Sequence, residues 1–187
     1  MKYPYLLALG FISLTLACQP EEQQQKNVES KAFFDLAGYF QAQIDLLQAE
    51  QPRVEKRIVL NEEEEGKTVE QLDYQKELLV FLKADINRPA WRDQYTIDSI
   101  MVNDQLGQLR YIAQNEDLKT RRLIITFEGT EVSKVEIDNY TTSAIANLDQ
   151  SLIYDPLIGY TIHSKENVQL ASAQDLLVEV RFLREAH

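Results

Sequence analysis

RLIITFEGTEVSKVEID, residues 122–138, decides the fold. Leu123, Ile125 and Phe127 alternate with Arg122, Thr126 and Glu128, and beyond Gly129, Val135 and Ile137 alternate with Lys134, Glu136 and Asp138. Successive side chains of a strand point to opposite faces. Two such runs joined at a glycine therefore predict an antiparallel pair with one buried and one wet face.

The same alternation extends in both directions. Leu109, Tyr111 and Ala113 alternate with Arg110 and Ile112 on the N-terminal side. Ile158, Tyr160 and Ile162 alternate with Thr161 and His163, and Leu176, Val178, Val180 and Phe182 alternate with Glu179 and Arg181. Gly107, Gly129 and Asn115-Glu116-Asp117 read as turns. Upstream, apolar residues recur at helical spacing twice. Phe33, Ala37, Phe40, Ile44 and Leu47 mark a helix starting at Ser30 and stopped by Pro52. Tyr74, Leu78, Phe81 and Leu82 mark a second, capped by Asp73 and closed before Pro89. Between them, Lys56–Leu60 and Lys67–Glu70 predict a hairpin whose tip is Glu62–Gly66. The expected fold is α+β: an N-terminal helix, a β-hairpin, a second helix and an antiparallel meander of about six strands, as a curved open sheet or partial barrel.

The chain opens Met1-Lys2, continues apolar through residues 5–17 and reaches its single cysteine at Cys18. As a helix the apolar run rises roughly 20 Å, short of a hydrocarbon core of roughly 30 Å, so a secretory signal explains it better than a permanent span. Leu14-Thr15-Leu16-Ala17-Cys18 resembles the lipobox of bacterial lipoproteins in the looser form typical of Bacteroidota. Thr15 and Leu16 depart from the commonest pattern. Gln19-Pro20-Glu21-Glu22 resembles the acidic export tag of surface-displayed lipoproteins of that group, with Pro20 where Lys or Ala is usual.

The resemblance, specific over residues 1–22, is to outer-membrane lipoproteins of the Bacteroidota type. It implies that residues 1–17 are removed and that Cys18 is acylated. A polar tether, residues 18–29, would then hold a single domain, residues 30–187, at the bacterial outer membrane, with the membrane face left open. No functional residue of the domain follows from it.

The formal net charge of −11 argues against nucleic acid as a partner and against direct adhesion to anionic lipid. With Cys18 taken by lipid, no cysteine remains for a disulfide, and the core must hold the domain alone.

Chemistry is thinly represented. The histidines are His163 and His187, and Ser164 beside His163 points to the opposite face of a strand. No Gly-x-Ser-x-Gly elbow or phosphate-binding glycine loop occurs. Glu62-Glu63-Glu64-Glu65 lacks the spaced oxygens and the bend of a calcium loop and reads as a solvated tip. No catalytic residue, metal site or cofactor is expected.

Two groups remain. Trp91 with Arg88 and Arg92 is either a seal over the helix–sheet junction or a partner surface. Tyr140, Tyr154 and Tyr160 either pack in the sheet or line a cleft for an apolar or sugar ligand. The leading expectation is a membrane-anchored, non-enzymatic binding or accessory protein with an envelope partner. The alternative is a carrier or sensor of an apolar ligand, resembling half-barrel lipoprotein carriers. An enzyme ranks third.

Overall fold

The alternating segments pair in sequence order into a single antiparallel sheet. The computed structural model describes residues 33–184, so Ser30, Cys18, the tether and His187 lie outside the described residues. The elements in chain order are α1 (Leu36–Glu50), β1 (Val54–Leu60), β2 (Glu63–Val69), α2 (Tyr74–Glu77) and α3 (Leu79–Leu82). After a 3-10 turn at Pro89–Trp91 come β3 (Tyr95–Val102), β4 (Gln105–Ala113), β5 (Thr120–Glu128), β6 (Glu131–Thr142), β7 (Ala146–Asp155), β8 (Gly159–Val168) and β9 (Gln174–Phe182). The strand order is β2-β1-β9-β8-β7-β6-β5-β4-β3. β2 and β3 are the free edges, so the sheet is open rather than closed.

Five details differ from expectation. Seven strands follow the helical segment, against the expected six or so. β7 is rich in Asn, Asp, Gln and Ser, which mutes its alternation, although Leu152 and Tyr154 are fully buried.

The glutamate run is not the hairpin tip. Glu63–Gly66 pairs with Arg57–Leu60, and the turn is Asn61-Glu62, with Asn61 at φ 54. Gly107 sits inside β4, while Asn103 and Asp104, both at positive φ, make the β3–β4 turn. Two-residue hairpin turns of this hand require φ > 0, which Asn and Asp tolerate.

α1 begins at Leu36, capped by Asp35, whose carboxylate accepts from Gly38 N at 2.8 Å. The second helix is broken at Leu78, whose φ of −94° and ψ of 2° separate α2 from α3.

All three helices lie on one face of the sheet. Phe40, Phe81 and Tyr154 are fully buried, and Tyr160 nearly so. Phe40 stacks on Phe81 with centroids 5.0 Å apart and meets Tyr154 edge-on at 5.1 Å. Such aromatic pairs add about 0.5–1.5 kcal/mol beyond area burial. Phe33 extends the layer toward β3 and β4 through edge contacts to Tyr95 and Tyr111. The buried apolar cluster runs from Phe33 to Phe182.

Candidate functional site

The sequence-derived candidates are dispersed. Tyr154 and Tyr160 face each other across β7 and β8 on the inner, helix-covered face. Tyr154 donates to Gln43 Oε1 at 2.8 Å, and Tyr160 donates to Glu77 Oε2 at 2.8 Å. Glu77 also receives Lys56 Nζ at 2.6 Å. Burial, above all, pushes both phenols well above their ordinary ionisation range. Tyr140 is on the outer face, beneath the Arg121 guanidinium at 5.3 Å. The three tyrosines therefore share no cleft.

Trp91 is partly buried against the core, with Arg88 stacked 4.2 Å from its ring centroid. Arg88 and Arg92 are exposed. The segment thus seals the junction and presents cations outward at once.

His163 lies on the outer face with its Nε2 2.6 Å from Asp175 Oδ1. Ser164 points inward, as the alternation requires, and its Oγ accepts from Gln150 Nε2 at 3.1 Å. Ser151, the register partner of His163, makes no hydrogen bond to it. Among the described residues no serine, threonine or cysteine side chain is hydrogen-bonded to the His163–Asp175 pair. Among the described residues no group of three or more His, Cys, Asp or Glu side chains is arranged to hold a metal ion. Nor is any helix among them long and apolar enough to cross a membrane.

Two features carry no motif. The first is a cleft of about 700 Å³ between α1 and the β5–β6 and β7–β8 turns. Leu46, Val132, Pro156, Leu157 and the Tyr39 side chain line it, with Glu50, Glu128, Glu131 and Arg184 around them. Leu157 is 72% exposed, its turn fixed by Asp155 Oδ1, which accepts from Leu157 N and Ile158 N. The Tyr39 hydroxyl is buried without a hydrogen-bond partner. Burial first, then the Asp155 and Glu131 carboxylates, holds it in its neutral form.

The second feature is the contrast between the sheet edges. β2 presents Glu63, Glu64, Glu65 and Lys67, whereas β3 presents Ile97, Ile100, Met101 and Val102, each at least 41% exposed. Charged edges resist strand addition and apolar ones invite it. The sequence holds hints of both: an apolar Pro156-Leu157-Ile158 turn where polar residues are usual, and apolar residues on both faces of β3.

No family model matches the chain, and no curated protein or solved structure shows significant similarity to it.

Proposed function

We propose that the chain is an envelope lipoprotein, anchored through acylated Cys18 at the bacterial outer membrane, that works without catalysis as a binding or accessory protein. The lipobox-like Leu14–Cys18 supports the anchor. The apolar β3 edge carries the binding half of the reading. A guest polypeptide strand would satisfy the free backbone groups along residues 95–100 and cover Ile97 and Ile100. The register with β4 shifts by one residue between Ile100 and Met101, at Gly107, and pairing resumes through Val102.

A photo-cross-linking residue at Ile97 in intact cells tests this. The expected result is a discrete adduct that a Met101→Lys and Ser99→Lys double variant abolishes, with no such adduct from the same probe at Glu64. Equal adducts from both edges would count against β3 as the binding strip.

A second reading, carriage of a small apolar ligand, is favoured by the cleft beside α1, whose size falls within the roughly 300–1,000 Å³ usual for ligand sites. Native mass spectrometry with lipid extraction tests it: a bound species that leaves on denaturation supports carriage, and a clean apo mass counts against it.

A further inference from the structure

The chain is acidic overall, with a formal net charge of −11, yet cations gather at one end of the domain. Thr120 Oγ1, at the start of β5, lies 3.1 Å from the Ala84 carbonyl oxygen, which sets Lys119, the residue before the strand, beside Lys83 at the end of α3. Tyr95 donates to the Thr120 carbonyl at 2.8 Å, bringing the Arg88–Trp91 turn against the same point. Arg121 follows on β5 over Tyr140. Among the described residues Lys83, Arg88, Lys119 and Arg121 form no ion pair; Lys56, Arg57, Lys76, Arg122 and Lys165 do, while Arg53, Arg92, Arg110 and Arg181 do not. Partial burial, then the charges of Lys83 and Arg88, pull the Lys119 ammonium below its ordinary range, as expected where cations crowd. Of the nearby acids, Asp85 accepts from Asn87 Nδ2 at 3.1 Å and keeps its charge, and Asp85, Glu116 and Asp117 form no ion pair with any of the four.

The same end receives the chain from its N-terminal segment. Phe33 N donates to Asn87 Oδ1 at 3.1 Å, and Asn87 Nδ2 donates to the Phe34 carbonyl at 2.7 Å. Arg88 is thus the residue next to the clamp on the chain's entry. From Cys18 to Phe33 the backbone can reach at most about 50 Å.

We propose that this end of the domain docks on an anionic lipid surface, with Lys83, Arg88, Lys119 and Arg121 toward the headgroups and Trp91 at the interface. The inference rests on the reading of Cys18 as a lipid anchor, which keeps the entry point within about 50 Å of the bilayer. Screening over about 8 Å lets a local patch act against the sign of the whole molecule. The acidic remainder, repelled by the same surface, fixes the orientation. Tryptophan suits the boundary, with an apolar body and one polar N–H.

Trp91 is the chain's single tryptophan and therefore its own reporter. The lipidated full chain is reconstituted in phosphatidylcholine vesicles, with or without phosphatidylglycerol, each carrying a headgroup-nitroxide lipid. Trp91 fluorescence should be quenched clearly more in the anionic vesicles, and high salt should remove the difference. The exposed pair K83E/R88E should lose most of it with the circular dichroism spectrum unchanged. K119Q, which introduces no repulsion, should lose part. Equal quenching in the two vesicle types would overturn docking and turn attention to an acidic protein partner. Failure of the chain to float with neutral vesicles would reject the anchor alone. Docking is then read from flotation with anionic vesicles, and its absence there too would reject docking.

Discussion

Asn87 holds the backbone of Phe34 as a neighbouring strand would: its side-chain amide donates to the Phe34 carbonyl at 2.7 Å while its Oδ1 accepts from Phe33 N. Phe34 N donates in turn to the Tyr111 hydroxyl at 3.1 Å. The segment before α1 has no ladder of its own, and these side chains stand in for one. Asn87→Ala leaves Phe33 N unpaired, at about 1–3 kcal/mol, while the Phe34 carbonyl keeps Leu36 N at 2.9 Å. Urea denaturation should show a lower midpoint with an unchanged m-value. An unchanged midpoint would mean that the clamp contributes nothing.

Glu77 joins the helices to the sheet by accepting from both Lys56 Nζ and the Tyr160 hydroxyl. The Lys56 and Glu77 side chains are 15% and 19% exposed, so solvent screens the pair only in part. Lys56→Met strands a carboxylate with one neutral partner and should cost about 1–3 kcal/mol. Replacing both, Lys56→Met with Glu77→Leu, should cost less than the sum of the single changes in a thermal-melt double-mutant cycle.

Alkaline stability follows from the buried phenols. Burial pushes Tyr74 and Tyr95 up to about 12 and raises Tyr111, Tyr154 and Tyr160 as well. In the unfolded chain these phenols ionise near 10, so between that pH and their folded values the unfolded state loses protons first. Stability is therefore full below pH of about 10 and falls as pH rises toward 12. Phenolate absorbance of these tyrosines should rise together with loss of circular dichroism. An earlier rise with the fold intact would contradict their burial.

Gly159 opens β8 at φ +140°, and a Cβ there would clash with the Val180 carbonyl oxygen. Gly159→Ala should destabilise by more than about 2 kcal/mol, because strain and a backbone clash combine. Gly129, at φ +63° with open space around it, should cost only about 1 kcal/mol as Ala. Thermal melts of the two variants, compared side by side, test the ranking.

The sheet was legible wherever one face is apolar and the other charged, as along Val178–Phe182 with Glu179 and Arg181 outward. It was obscured where that contrast fails. β7 carries polar residues inward as well as outward, with Gln150 facing Ser164, and the glutamates of β2 are exposed throughout. The break at Leu78 was hidden because Leu78 is itself fully buried and in phase with its neighbours. The cleft beside α1 was unreadable for a different reason. α1, two turns and Arg184 each contribute one to four lining residues, so no local pattern marks it. The three tyrosines were singled out as a group, but residues of one type on neighbouring strands face together only when register and alternation agree. Tyr140 fails that condition, with Asn139 taking the inward position.

The anchor is the claim on which the proposed role most depends, and the intact mass of the chain recovered from the membranes of a Gram-negative host tests it most directly. The account predicts a mature N-terminus at Cys18 carrying acyl chains, and a Cys18→Ala variant that loses both the lipid mass and membrane retention. A chain recovered from the soluble envelope fraction, cleaved elsewhere and without acyl mass, would contradict it.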